Sequence, residues 1–310
     1  MSGSFHLRIP GTSANLGPGF DAAGLALGLY NELKVTPTRS AEILVEVSGE
    51  GVGQVDPHNN LIIDAYRRTF ARLHKAVPGA RLECLNRIPF ARGIGSSSAA
   101  IVAGIAAAHM VSGQPLSTRE AISLATAMDG HPDNVLPAIL GGICLGCQDS
   151  QSRVYWHKIT PPEGLTATVL IPDYALATAK ARQVMPDSYS RADAVYSLSH
   201  YGLAVAAFMS GKLDLLKEAL KDRMHEPYRL PLMPGMAELR QMVLEAGALA
   251  APVSGAGSTV LVLSDQPIDT APLIEWAASQ DISLRALALP IVGRGVHLID
   301  DKETEMVLWP

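Results

Sequence analysis

Three cysteines in 310 residues are too few for a disulfide framework, and they cannot all pair among themselves. Cys144 and Cys147 form a lone C-x-x-C with no second pair and no neighbouring histidine, so they do not complete a zinc site. On an apolar strand both read as buried thiols, and the compartment as reducing and cytoplasmic. Charge of one sign is scarce too. Lys and Arg number 25 against 30 Asp and Glu, a net charge of −5, and no basic stripe exists that would follow a nucleic-acid backbone. Long apolar runs are missing. The longest, Ala99 to Val111, is mostly alanine, stops at Ser112-Gly113, and falls short of the roughly 20 residues of a membrane span. The N-terminal MSGSFHLRIP has no apolar stretch behind a basic one, so neither a membrane partner nor a secretory route is expected.

What is present is ordinary globular material, 48% apolar and 18% charged, long enough for one large domain or two fused ones. Gln148 to Glu163 is polar and then carries Pro161-Pro162, which places a boundary there and divides the chain into residues 1–157 and 158–310. Phe5 to Ile9 alternates as a strand and runs into a polar, glycine-rich loop from Pro10 to Asp21. Leu61 to His74 has helical spacing, Arg81 to Ile88 reads as a strand, and a second loop, Gly93 to Ser98, opens into a helix from Ala99. Ser117-Thr118-Arg119-Glu120 has the capping-box spacing and predicts a helix to about Met128. Gly141 to Cys147 reads as a central strand. Beyond the boundary, Thr166 to Ile171, Val260 to Leu263 and Ser283 to Leu289 read as strands. Arg191 to Met209, Met236 to Ala246 and Thr270 to Ser279 read as helices. The alternation lacks the βαβ rhythm of a doubly wound sheet, so the expected fold class is α+β in two domains, with no internal repeat.

The most informative stretch is PFARGIGSSSAA, Pro89 to Ala100. Gly93 and Gly95 let the backbone turn tightly and approach a ligand with no Cβ in the way. Ser96, Ser97 and Ser98 add hydroxyls where a long helix begins, and a helix N-terminus with free N–H groups is a ready phosphate site. The plainer alternative is a serine-rich cap before a core helix. It is not a Walker A loop, because no lysine follows the last glycine.

A proline, three residues and G-x-G-S-S-S-A resemble the ATP-binding motif of the GHMP kinases, a superfamily of small-molecule kinases. PGTSANLGPGFDAAGLAL resembles that family's first motif in its homoserine-kinase form, and APVSGAGSTVLVL, Ala251 to Leu263, its glycine-rich third motif, with Ser258 where a proline is common. The resemblance implies a two-domain fold with ATP in the cleft between domains. It implies that Gly93, Gly95, Ser96, Ser97 and Ser98 cradle the phosphates, with Ser97 or Ser98 near Mg²⁺, and that Pro89, Arg92, Ile94 and Ala99 belong to the same ATP-binding stretch. Asn60 matches the family asparagine at the adenine, with helix capping as its plainer role. Gly255 and Gly257 would support the loop from the third motif.

For the acceptor, the resemblance implies L-homoserine, a zwitterion with a terminal hydroxyl. Asn15 and Asp21 would hold the amino-acid end, with Asp21 on the ammonium. His131 and Asn134 of HPDN would line the acceptor pocket. Thr178, with Arg182 four residues later, and Arg229 in HEPYR complete the matched set, and arginine's planar fork suits a carboxylate. Mevalonate-kinase-like members carry an aspartate base near the position of Asn134 and an N-terminal lysine, and neither is present. The implied mechanism therefore rests on alignment and electrostatic stabilisation, without a dedicated protein base. Members of the HPDN type usually have glutamate two residues before the histidine. Asp129 stands there instead, as the candidate Mg²⁺ ligand with a shorter reach. Two other readings are an isoprenoid or sugar kinase of the same superfamily and a non-catalytic metabolite sensor. The oligomeric state, a homodimer included, is left open.

Overall fold

Leu7 and Ile9, both fully buried, lie two residues apart on one face of the first strand and anchor the sheet on which the site is built. The computed structural model describes residues 3–114, 116–300 and 304–309, so Met1 and Ser2 of the N-terminal stretch lie outside the described residues. In chain order the elements begin β1 (Phe5–Ala14), β2 (Ala23–Pro37), β3 (Ile43–Gly49), α1 (Leu61–Arg72), β4 (Ala80–Asn86), α2 (Ser96–Ser112), α3 (Thr118–Asp129), α4 (Pro132–Leu140), β5 (Ile143–Gln148) and β6 (Val154–Ile159). They continue β7 (Thr166–Pro172), α5 (Thr178–Gln183), α6 (Arg191–Ser210), α7 (Leu216–Ala219), α8 (Glu226–Arg229), α9 (Met236–Glu245), β8 (Val260–Ser264), α10 (Ala271–Ser279), β9 (Leu284–Leu289), β10 (His297–Ile299) and β11 (Glu305–Val307).

The fold is α+β. One sheet of eight strands runs β11-β10-β1-β2-β4-β3, with β5 joined to β2 and β6 to β5, and a second runs β8-β7-β9. Among the described strand pairs only β3 and β4 are parallel. Helix α2 is buried nearly all round and packs against α1, α3, α4 and β1, which fixes its N-terminus in the centre of the molecule. The capping box of α3 is present in full, Ser117 with Glu120. Among the described residues no helix is long and apolar enough to cross a membrane.

Three expectations are corrected. The loop expected from Pro10 is strand as far as Ala14, because a register shift against β2 between Pro10 and Gly11 absorbs the proline. Helix α2 begins at Ser96, not Ala99, since Gly95 takes the left-handed turn (φ 67°) and its carbonyl already accepts from Ala99 N–H at 2.9 Å. Cys144 is a buried thiol but Cys147 is exposed: β5 leaves β2 after Leu145, and Cys147 sits on a projecting hairpin with β6. Strand β2, fifteen residues long, has no counterpart in the sequence reading. Its Gly24 is needed for close approach, as a Cβ there would stand 1.9 Å from Asp133 O. That contact presses the start of α4 onto the sheet.

Candidate active site

Two cavities meet at the N-terminus of α2, sharing Ala91, Ser96 and Ser97. The larger, about 550 Å³, has apolar walls from Ile9, Leu33, Val47, Phe90 and Ala103, with Asn59 and Asn60 at one side. The smaller, about 350 Å³, is polar. Asn15 and Asp21 from the turn after β1, Gly93 to Ser97 in part, Asp129, His131, Asp133 and Asn134 from the α3–α4 junction, Thr178 and Arg182 from α5, Arg229 from α8, and Gly255 and Ala256 line it. Five separate segments thus converge on the first turn of α2, whose free N–H groups and partial positive charge favour an anion.

Asn134 is held by a residue the sequence reading passed over. Thr12 Oγ1 donates to Asn134 Oδ1 at 2.7 Å, which leaves the amide N–H₂ as the free end in the cavity. A Cβ on Gly95 would stand 1.9 Å from Thr12 Oγ1 and 3.2 Å from Asn134 Oδ1, so the glycine keeps this link and the loop in register. The third-motif segment braces the loop from behind. Ser254 Oγ donates to Gly93 O at 2.7 Å, Thr259 N–H to Arg92 O at 3.1 Å, and Gly255 N–H to Ala14 O at 3.1 Å.

The charged groups are arranged in a chain. Arg182 grips Asp21 through Nη2–Oδ1 at 2.9 Å and Nη1–Oδ2 at 3.3 Å, and its Nη2 lies 3.2 Å from His131 Nδ1. A guanidinium has no acceptor, so His131 Nδ1 accepts and Nε2 carries the hydrogen, facing Asp21 Oδ2 at 3.6 Å. Asp21 and Arg182, expected at opposite ends of a substrate, are here also each other's partner. Arg229 is only 1% exposed, donating through Nη1 to Gly255 O at 3.0 Å and through Nε to Ala181 O at 3.3 Å. Asn15 gives its Nδ2 to Gly255 O at 2.7 Å, and its Oδ1 accepts from Asp21 N–H at 3.0 Å, so its amide ties the Asp21 turn to the third motif.

The acids of the cavity are tuned by burial. Asp133 is pushed up to about 8, first by desolvation and then by Asp21 and Asp129 nearby, so it holds its proton at neutral pH. Asp129 is raised to about 6, mainly by burial, with Ser98 and Arg182 opposing. His131 is lowered, chiefly by desolvation. Ser98 Oγ donates to Asp129 Oδ1 at 3.0 Å, so the shorter acid at this position does reach the loop serine. Among the described residues no cluster of three or more His, Cys, Asp or Glu is placed to hold a metal. A hard cation here would take protein oxygens from Ser98 and Asp129 and complete its shell from phosphate and water, as Mg²⁺ commonly does.

The model of the GHMP kinases N terminal domain matches residues 60–142, and that of the GHMP kinases C terminal region matches 204–271. A homoserine kinase of Deinococcus radiodurans is 41% identical over 295 residues, covering 94% of this chain and 95% of that protein. A second, from a Synechococcus species, is 40% identical over 309 residues, covering 96% and 98%. The chain belongs to the homoserine kinase family. The crystal structure of homoserine kinase from Cytophaga hutchinsonii shares the fold, with a TM-score of 0.87 over 96% of this chain and 98% of that one, at 24% identity. Membership of this kinase family brings ATP use with it.

Not every residue matched to the homoserine kinase motifs lies on a cavity wall. Asn60 caps α1, its Oδ1 accepting from Ile62 and Ile63 N–H and its Nδ2 donating to Asp56 O at 2.7 Å, while the residue also lines the apolar cavity. Arg92 faces away from both, donating to Pro172 O, Asp173 O and Phe90 O. Pro89 and Ile94 are buried beneath the loop, Gly257 stands behind it, and Ser98 reaches only Asp129, whereas Ala99 lines the apolar side. Ser254 was expected in the third motif that supports the loop, whereas Thr12, Phe20 and His225 lie within matched stretches but were given no role, since what each does depends on partners distant in the sequence.

Proposed function

We propose that the chain transfers the γ-phosphate of ATP to the side-chain hydroxyl of L-homoserine, giving O-phospho-L-homoserine. The observation that carries this reading is the polar cavity. It offers carboxylate and guanidinium groups in contact, Asp21 and Arg182, with Arg229 beside them, and it opens at Ser96 and Ser97 onto the apolar cavity. In this reading Asp21 receives the substrate ammonium while Arg182 and Arg229 take its carboxylate. The apolar cavity takes the adenine, and the N–H groups opening α2 hold the phosphates. Ser98 and Asp129, with Ser97 beside them, fit a magnesium ion, which when bound would offset phosphate charge. Asn134 Nδ2 then donates to the acceptor oxygen and aims its lone pair at phosphorus, with Thr178 across the cavity.

Asn134, His131 and Asp133 offer no free base at neutral pH in this arrangement, and Asp129, which is ionised there, accepts from Ser98 and is assigned to the cation. Asn134 Oδ1 is occupied by Thr12, His131 Nδ1 by Arg182, and Asp133 holds its own proton. Alignment is worth up to roughly 7–11 kcal/mol, and the hydroxyl proton leaves to a phosphate oxygen as the new bond forms. A boundary near residues 157–158 and a reducing, cytoplasmic setting belong to the same reading; free Cys84, Cys144 and Cys147 agree with the latter. Purified protein with Mg-ATP should yield ADP and O-phosphohomoserine from homoserine, with mevalonate, galactose and threonine near background. A preference for mevalonate over homoserine would overturn the proposal.

A further inference from the structure

Beside the two arginines of the polar cavity stands a group that charge alone would not nominate. The guanidinium carbon of Arg182 is 5.7 Å from the centroid of the Phe20 ring and that of Arg229 is 5.1 Å away, so one aromatic ring serves both cations. His225 stacks on the same ring, with centroids 5.3 Å apart and planes inclined by 24°. It is fully buried, with Nδ1 3.3 Å from Arg229 Nη1 and Nε2 3.0 Å from Gly17 O. Because arginine only donates, Nδ1 accepts, and the ring hydrogen is on Nε2, where Gly17 receives it. Burial pushes the His225 pKa down, against the pull of Asp222, which agrees with a neutral ring.

Arg229 therefore has neutral groups in contact, the Phe20 face, the His225 nitrogen, and the carbonyls of Ala181 and Gly255, while Asp21, Asp133 and Asp222 attract it only from beyond ion-pair distance. Arg182, by contrast, has Asp21 in its fork. A buried guanidinium with no carboxylate in contact is costly. An aromatic face and a neutral acceptor hold it in place without cancelling its charge.

We propose that Phe20 and His225 are positioning residues that seat Arg229 on neutral contacts, so that the carboxylate of an amino-acid substrate supplies the missing counter-charge and is selected for. The inference rests on the homoserine reading above and goes beyond it, since it assigns the preference for a carboxylate to two residues that do not carry the charge.

The test compares kcat/KM for L-homoserine with that for aminopropanol, which is homoserine without its carboxylate and keeps the ammonium and the hydroxyl. In Phe20→Leu, KM for homoserine should rise about tenfold, while KM for ATP and kcat/KM for aminopropanol stay within about twofold of wild type. Phe20→Tyr, which keeps the ring, should restore homoserine KM. Phe20→Met, of similar volume, reads the same ratio if the leucine variant does not fold. His225→Asn, whose amide oxygen can replace Nδ1 as acceptor, should stay closer to wild type on homoserine than His225→Leu. Equal losses on both substrates in the ring-deleting variants would make the ring merely structural and overturn the proposal, as would an unchanged homoserine KM. Failure of the wild type to phosphorylate homoserine at all would instead remove the function on which the inference rests.

Discussion

Thr12 acts on the acceptor site from beneath, through one hydroxyl. It is fully buried, and its bond to Asn134 Oδ1 decides which end of that amide faces the substrate. Thr12→Val keeps the shape and deletes the donor, so the amide is free to flip and its oxygen is left unsatisfied. Turnover should fall about tenfold, with ATP KM held, because a lost buried hydrogen bond is worth about 1–3 kcal/mol. Steady-state kinetics decide it, and wild-type turnover in Thr12→Val would show that the amide needs no such support. Arg182 makes a second residue-scale prediction. Lysine keeps the charge but cannot grip both Asp21 oxygens and reach His131 as the fork does. Homoserine KM in Arg182→Lys should rise about tenfold or more, with ATP affinity unchanged. An unchanged homoserine KM would take the fork out of substrate recognition.

At the scale of elements, the start of α2 matters most. Because the helix opens at Ser96, its first turn carries the three serines and the unpaired N–H groups together. Gly95→Ala places a methyl against Thr12 Oγ1 and strains a left-handed backbone. ATP binding should weaken by tenfold or more, on the order of 1.4 kcal/mol, with the protein still folded. Calorimetry showing wild-type ATP affinity in a folded Gly95→Ala protein would mean the phosphates lie elsewhere. The elements with strong local signals were legible in the sequence: α3 through its capping box, α1 through its 3.6-residue spacing, and β7 through its apolar run. Strand β2 was not, because Gly24 and Gly28 answer to neighbours in space and weaken its local propensity. The short α5 and α8 span less than two turns, too little for a period to show, although they carry Arg182 and Arg229. Those arginines were reached through motif resemblance; Phe20 and His225 were not, since what they do depends on what lies across the cavity.

For the molecule as a whole, buried acids give stability a particular pH dependence. Asp133 titrates near 8 in the folded protein against an ordinary 3.8, and Glu226, pinned to Val253 N–H and Arg240, is raised to about 7. Between these values and the ordinary ones the native state keeps protons that the unfolded chain has released. Stability is therefore greatest toward the acid end of that window and declines as pH rises through it. Asp133→Asn, which mimics the protonated acid, should show a shallower decline in melting temperature between about pH 6 and 8. A profile as steep as wild type would place the titration in another group. The large sheet carries a different consequence. Strand β1, made long before β10, has β2 on one side and waits on the other for β10, where His6 meets Ile299. During synthesis the ribosome must deliver the whole smaller sheet and α5 to α10 before that edge can close. Until then the nascent chain exposes an open row of peptide groups, the kind of edge to which another chain can add. Yield in the cell should thus depend on keeping that edge covered, by chaperones or by rapid completion of the chain, more than on the strength of the finished site.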